Sequence, residues 1–291
     1  MGLKIYMNGE YVAEEDAKVS VFDHGVLYGD GIFEGIRAYN GRVFKLAEHV
    51  DRLFNGAHAI MLEPPVDKEG MKEVVLGTLR ENKLRDAYIR LVITRGKGDL
   101  GLDPYNCPNP TLFCIAAGIK MYPDELYQNG LEVVTVPTRR NSPEACNPQM
   151  KSLNYLNSIM AKLEAKLSGV EEAIMMNNEG YVAEATGDNI FIIHKGKLIT
   201  PPAFLGILEG ITRNSVIELA HEKNIPVAEQ LFTRYDIYSA DECFLTGSAA
   251  EIIPVTKVDG RTIGSGKPGE ITTQLIKDYK ELTNSTGTDI F

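Results

Sequence analysis

The chain is poor in the features that would commit it to an oxidising compartment, a membrane or a nucleic acid. It has four cysteines in 291 residues (Cys107, Cys114, Cys146 and Cys243), widely spaced and with no CxxC pair, so neither a zinc site nor a redox motif is indicated and no bound metal is expected. They read as free thiols in a reducing cytoplasm. The first residues, MGLKIYMNGE, contain no signal-peptide apolar region, and no run approaches the length of a membrane span. Basic residues are outnumbered, 30 Lys and Arg against 40 Asp and Glu, for a formal charge of −10 and a pI near 5.1. That balance argues against nucleic acid or an anionic membrane as partner. There is no internal repeat, low-complexity tract or long charge run.

What remains is the composition of a globular protein, 44% apolar and 24% charged. The length suits one large domain or two ordinary ones. The order of elements predicts an α+β first half. Lys4 to Met7 and Tyr11 to Ala13 flank Asn8-Gly9, a strong hairpin signal. Ile32 to Tyr39 and Arg42 to Phe44 read as strands around Asn40-Gly41. Helical spacing of Leu46, Val50, Leu53, Phe54, Ala57 and Ile60 predicts a helix over 46–61. A second helix is expected over 66–82, with Asp67 as its N-cap, and strands over 87–94 and 111–117. Between those strands lies RGKGDLGLDPYNCPNP, dense in Gly, Pro and Asn and therefore a long loop, the kind that is functional or packs on a partner. A crossing between halves is expected around 120–130, giving a small α+β domain over 1–119 and a larger domain over 131–291. In the second half, strands are expected over 131–137, 172–176, 181–185, 189–194, 198–200, 226–229, 242–246 and 251–258. Helices are expected over 152–167, from Gly210 to about Lys223 and over 268–282, followed by a frayed tail.

Four stretches could carry chemistry. Lys151 follows a loop rich in Asn and Pro and precedes a helical run, so it could be a held, reactive amine or an ordinary solvated lysine. Glu184 ends a strand among small residues and could be a functional acid or a solvated one. Gly210-Ile211-Thr212 opens a helix whose first N–H groups could take a phosphate, although most such starts bind nothing. Thr246-Gly247-Ser248-Ala249-Ala250 offers a hydroxyl and amides, or simply a tight turn. A reactive lysine, an acid for a ring nitrogen and helix-terminal amides with a hydroxyl are the parts that pyridoxal phosphate requires.

With those parts in place, the blocks YGDGIFEGIR, HVDRL, YIRLVITRG, VAEATGDNIF, LEGITR and TGSAAEI, in that order, give the chain its resemblance to a family. From about Tyr6 to Tyr279 it resembles the branched-chain amino acid aminotransferases of the fold-type IV, D-amino acid aminotransferase-like class. The resemblance implies a two-domain enzyme whose larger, pyridoxal 5'-phosphate-binding domain has a β-barrel-like core flanked by helices. It implies that Lys151 carries the cofactor as a Schiff base and then shuttles a proton, that Glu184 pairs with the pyridine nitrogen, and that Tyr155 bonds the ring hydroxyl. Tyr155 lies four residues after Lys151 and so on the same helical face. Arg52, Ile211, Thr212 and Ser248 would take the phosphate.

On the substrate side the resemblance implies pocket walls from Tyr28, Phe33 and Gly35, with Gly35 leaving room for a branched side chain. Tyr88 and the amides of Ser248 and Ala249 would take the α-carboxylate, and Arg90, near Tyr28 and Tyr122, the distal carboxylate of glutamate. An ion-pair role is the alternative for Arg90, with Arg37 and Arg95 as rival cations. The loop Leu100-Gly101-Leu102 would reach a neighbouring subunit's site, in a homodimer or a hexamer of dimers. The implied reaction is transamination of L-Leu, L-Ile or L-Val with 2-oxoglutarate. The alternatives are a D-amino acid aminotransferase, an aminodeoxychorismate lyase of the same fold, and a cofactor-free binding protein. Two positions depart from the better-known members: Ser152-Leu153 stand where small glycines follow the lysine, and Ser248 stands where threonine is often found.

Overall fold

The computed structural model describes residues 2–119 and 121–291. Two compact units emerge, Met1–Ile119 with Met150–Asn154 and Thr283–Phe291, and Lys120–Gln149 with Tyr155–Leu282. The expected connection over 120–130 begins at Lys120, which lies outside the described residues; its remainder includes a short helix, Asp124–Asn129.

The first unit is built on a seven-stranded sheet. Its strands are β1 (Lys4–Met7), β2 (Glu10–Ala13), β3 (Gly31–Tyr39), β4 (Arg42–Val43), β5 (Ala87–Thr94), β6 (Thr111–Ala117) and a short terminal strand, Thr288–Asp289. In space they run terminal strand–β4–β3–β5–β6–β1–β2, and every pairing is antiparallel. Alternation along β3 and β5 divides the sheet into two faces. Ile32, Ile36, Ile89, Leu91 and Ile93 join Val50 and Leu53 of helix Leu46–Ala59 and Met71, Val75 and Leu79 of helix Lys68–Glu81 in one apolar core. Phe33, Gly35, Arg37, Tyr88 and Arg90 lie on the other face, with Gly35 opposite Arg90 and Arg37 opposite Tyr88. Asp67 caps its helix as expected, its carboxylate accepting from Gly70 N at 2.8 Å.

The tail expected to fray is instead ordered. Thr288 and Asp289 pair with β4, Ile290 N donates to Gly41 O, and the Ile290 side chain is buried. Arg42 also bonds the Asp289 carboxylate and Arg80 the Ile290 carbonyl, so strand pairing, an ion pair and one buried apolar residue together anchor the tail. The expected helix over 152–167 starts at Leu156 instead. Residues 151–153 form a bridged rung on the first unit's sheet: Phe33 N donates to Lys151 O, Leu153 N to Gly31 O, and Ile32 bridges Ser152. This pairing places Met150–Asn154 in the first unit, so Lys151 does not belong with the residues of 131–291.

The second unit holds nine strands: β7 (Leu131–Thr135), β8 (Glu172–Met176), β9 (Val182–Ala185), β10 (Asn189–His194), β11 (Lys197–Thr200), β12 (Val227–Glu229), β13 (Glu242–Gly247), β14 (Glu251–Val258) and β15 (Arg261–Thr262). The order is β12–β11–β10–β13–β14–β7–β8–β9, with β15 against β14. The sheet is mixed: β7 runs parallel to both β14 and β8, and β11 to β12. It curls so that Val182 N on the β9 edge donates to Phe232 O, just beyond β12, at 2.9 Å. That contact gives the barrel-like core. Ile174, Ile190, Leu245, Ile253 and Val255 fill it. Helices Leu156–Leu167, Ile211–Glu222 and Glu270–Ser285 accompany the sheet, the last of them ending in the first unit.

Candidate active site

In the first unit, Lys151 adopts a left-handed conformation, φ 48°, at the turn into the rung on β3. A non-glycine residue there is uncommon and persists only where its surroundings enforce it. The rung bonds hold the backbone while the side chain is half-buried, with Nζ 4.5 Å from the centroid of the Phe33 ring. Arg90 Cζ lies 4.4 Å from the same centroid, and its Nη2 donates to the Tyr88 hydroxyl at 3.1 Å. Two cations therefore share one aromatic ring. Gly35 is required by this arrangement, because a Cβ there would stand 2.3 Å from the Tyr88 hydroxyl oxygen. The space above Gly35 thus belongs to Tyr88.

Of the rival cations, Arg95 is structural: it binds Asp30 through Nε at 2.8 Å and Nη2 at 3.1 Å, and caps the carbonyls of Ile60 and Met61. Arg37 lies over the ring of Tyr39. The Tyr28 hydroxyl donates to Leu100 O, which joins the block around Tyr28 to the long loop. Leu100 and Leu102 in that loop are 70% and 78% exposed.

Arg52 does not stand alone. Its Nε and Nη2 donate to the two oxygens of Glu34 at 2.7 and 2.8 Å, and His49 Nδ1 lies 2.8 Å from Glu34 Oε2. Glu34 is wholly buried. Burial alone would raise its carboxyl, but Arg52, with His49 adding to it, holds the group well below the usual carboxylate range. Burial pushes His49 below its ordinary value, and Glu34 counters this only in part. Glu34 sits inside YGDGIFEGIR with no role assigned to it by the sequence reading. The signal was there: a carboxylate between Ile32 and Ile36 on an otherwise apolar strand face requires a cationic partner.

In the second unit, Glu184 is buried and held by three donors. Arg140 Nε reaches Oε1 at 2.8 Å, and Asn189 Nδ2 and Leu208 N reach Oε2 at 3.1 Å each. The turn from β9 to β10, closed by Ala185 N on Asp188 O, brings Asn189 back beside Glu184. Sequence reasoning missed Arg140, which sits in a loop with no periodic pattern. Helix Ile211–Glu222 starts after Gly210 with no side chain capping its N–H groups. A Cβ at Gly210 would stand 2.1 Å from Asn189 Oδ1, so the glycine lets this terminus approach the Glu184 cluster. Thr212 is buried, its hydroxyl 3.3 Å from that of Tyr279. Ser248 and Ala249 form the turn between β13 and β14, both half-buried. Thr246 Oγ1, just before that turn, is buried with no partner among the described residues.

One further residue is placed in a core, and one expectation changes. Tyr122 is 3% exposed and packs edge-on to Tyr127 within the second unit's core; burial pushes its hydroxyl far above the ordinary phenol range. Tyr155 is the cap residue of helix Leu156–Leu167, whereas Lys151 lies outside any helix, so a shared helical face does not relate the two.

The fold agrees with what the chain is similar to. The profile of the amino-transferase class IV family matches residues 31–258. A Methanocaldococcus jannaschii protein, provisionally named a branched-chain-amino-acid aminotransferase, is 54% identical over 99% of both chains. Among solved structures, the Thermoproteus uzoniensis branched-chain aminotransferase with norvaline superposes with a TM-score of 0.93 at 38% identity, covering 100% of both chains. The T.th. branched-chain amino acid aminotransferase complexed with N-(5'-phosphopyridoxyl)-L-glutamate gives a TM-score of 0.91 at 35% identity, covering 98% of this chain and 95% of that one. The chain belongs to the class IV aminotransferases.

Proposed function

We propose that the protein is a pyridoxal 5'-phosphate-dependent branched-chain amino acid aminotransferase that uses 2-oxoglutarate as amino acceptor. The observation that carries this reading is the sheet face of the first unit. Lys151 and Arg90 both lie on Phe33, so an amine, a guanidinium and an apolar wall stand together. The cofactor's needs fit the side chains present in each unit. The second unit offers a carboxylate fixed by Arg140, Asn189 and Leu208, an uncapped helix start at Ile211, and the buried Thr246 hydroxyl leading into the Ser248 turn. The first unit offers Lys151 and Arg52.

Bound pyridoxal phosphate supplies the electrophilic carbonyl and the electron sink. Lys151 Nζ would hold the cofactor and, once freed by substrate, would take the proton from the amino acid Cα and deliver it to the cofactor carbon. Its backbone is held by the β3 rung. Glu184 would keep a proton on the pyridine nitrogen, and Tyr155 would orient the ring hydroxyl. Arg52, the Ile211 amide, Thr212 and Ser248 would hold the phosphate. Tyr88 and the amides of Ser248 and Ala249 would hold the α-carboxylate, while Tyr28 and Phe33 would wall the side-chain pocket and Gly35 would contribute by leaving room for the Tyr88 hydroxyl. Arg90 explains dual specificity: a leucine side chain lies on Phe33, and a glutamate extends its second carboxylate to the guanidinium. The structural neighbours with norvaline and a phosphopyridoxyl-glutamate support one site for both chemistries. The position of Arg90 beside Phe33 and Tyr88, rather than in an ion pair like that of Arg95, favours this role.

The exposed Leu100 and Leu102 support self-association, with Leu102 reaching a second copy's site in a dimer or a hexamer of dimers. Among the described residues no helix is long and apolar enough to cross a membrane, and the reading places the enzyme in the cytoplasm. The test is a panel of L-leucine, D-alanine and aminodeoxychorismate, each with and without 2-oxoglutarate. Glutamate formed from L-leucine only with 2-oxoglutarate supports the proposal. Turnover of D-alanine alone, or of aminodeoxychorismate without acceptor, assigns one of the alternative enzymes.

A further inference from the structure

The cluster around Glu34 is more elaborate than a lone phosphate arginine requires. His49 and Arg52 are three residues apart on helix Leu46–Ala59 and so share a face, and Gly56, four residues further, continues it. A Cβ at Gly56 would stand 2.5 Å from Met150 O, so this face presses against the backbone just before Lys151. Glu34 receives the same face from the sheet side. It takes two nitrogens of Arg52, which fixes the plane of the guanidinium as well as its position. The residue preceding Glu34, Phe33, holds Lys151 O through its amide. One strand segment, Phe33-Glu34, therefore holds the lysine by its backbone and the arginine by its side chain. His49 adds a hydrogen bond to Glu34 from within the core, at 2.8 Å and almost wholly buried. A buried acid with an arginine and a histidine is costly to build unless its geometry is used.

We propose that Glu34 and His49 are positioning residues that hold the Arg52 guanidinium in register with Lys151, and so set the affinity for the phosphate group of the cofactor. This rests on the reading of Arg52 as a phosphate ligand. The contribution is specific to the phosphate, because Glu34 acts on the cofactor only through Arg52. Loss of the charged pair removes two of the bonds that orient the guanidinium, and the loss of cofactor affinity falls on the phosphate contact.

The experiment compares pyridoxal 5'-phosphate with pyridoxal, which lacks the phosphate, by equilibrium titration of the full-length protein stripped of cofactor. Wild type, Arg52→Ala, Glu34→Gln, His49→Leu and His49→Asn are measured, with thermal unfolding of each. Glu34→Gln is expected to weaken pyridoxal 5'-phosphate binding by about tenfold to a hundredfold, the loss typical of one charge-assisted pair, and to leave pyridoxal binding unchanged. His49→Leu should act in the same direction and more weakly. His49→Asn, whose side-chain amide can stand in for Nδ1, should restore most of the affinity. Equal losses for both ligands, or none for either, would overturn the proposal. If Glu34→Gln does not fold, the contrast between His49→Leu and His49→Asn decides it by the same ratio. Should Arg52→Ala leave pyridoxal 5'-phosphate binding unchanged, the phosphate role of Arg52 fails and the proposal fails with it. If Arg52→Ala weakens binding and Glu34→Gln and His49→Leu do not, only the positioning role fails.

Discussion

Replacing Gly35 with alanine tests the substrate face at its tightest point. The added Cβ would stand 2.3 Å from the Tyr88 hydroxyl oxygen and 3.0 Å from Cζ. Ordinary contact requires the hydroxyl to retreat by about 1 Å. The Arg90 Nη2 bond to that hydroxyl is already 3.1 Å long, so the retreat takes it out of hydrogen-bonding range. Hydrogen bonds to charged groups contribute about 1.5–3 kcal/mol when buried. Tyr88 and Arg90 are only half-buried, which reduces the expected loss to about 1 kcal/mol, or roughly fivefold in the KM for amino acid substrates. The assay is steady-state transamination of L-leucine and L-glutamate by Gly35→Ala, Tyr88→Phe and the double variant. If the clash is with the hydroxyl, removing it relieves the strain, so the double variant should be no worse than Tyr88→Phe alone. Additive losses, or a wild-type KM in Gly35→Ala, would refute the reasoning.

Other predictions concern single contacts. Arg140→Met leaves a buried carboxylate without its guanidinium and should lower unfolding stability by about 3 kcal/mol in urea, with Arg140→Lys costing less. Arg90→Ala should weaken glutamate and 2-oxoglutarate use far more than leucine use, whereas equal losses would make its role structural. Arg95→Ala should lower the melting temperature, because it removes the ion pair to Asp30 and two carbonyl caps. Stability should also fall on acidification. His49 is held below its ordinary value of 6.5, so the unfolded chain binds that proton first and stability starts to fall near pH 6.5. Glu34 is held below 4.5, so its contribution is present above that pH and is lost as the pH drops through the folded value. Glu34→Gln should be less stable than wild type at neutral pH, and denaturant titrations down to about pH 3 should show the gap narrowing.

Local signals in the sequence went far. Asn8-Gly9 marked a hairpin and Asp67 a helix start, and both formed because each depends on neighbours in the chain. The spacing of Leu153, Leu156, Ile159, Met160 and Leu163 predicted a helix from Ser152, yet Lys151 to Leu153 pair with β3 more than a hundred residues away. Local periodicity cannot register that competition. The same limit applies to Arg140, a loop cation with no pattern, and to Ile290, one apolar residue in a polar tail. Motif order carried the family and named Lys151, Glu184, Arg52 and Arg90. Glu34 and His49 lie inside those blocks and Arg140 outside them; the motifs gave none of the three a role, because their contacts with Arg52 and Glu184 appear only in the fold.

Lys151 is expected to be the amine to which the cofactor attaches. The direct measurement is borohydride reduction of the protein incubated with pyridoxal 5'-phosphate, followed by digestion and mass spectrometry. A single stable adduct is expected on the peptide containing Lys151, and none in Lys151→Ala. A protein that takes up no adduct, or one labelled at another lysine with Lys151 unmodified, would contradict it.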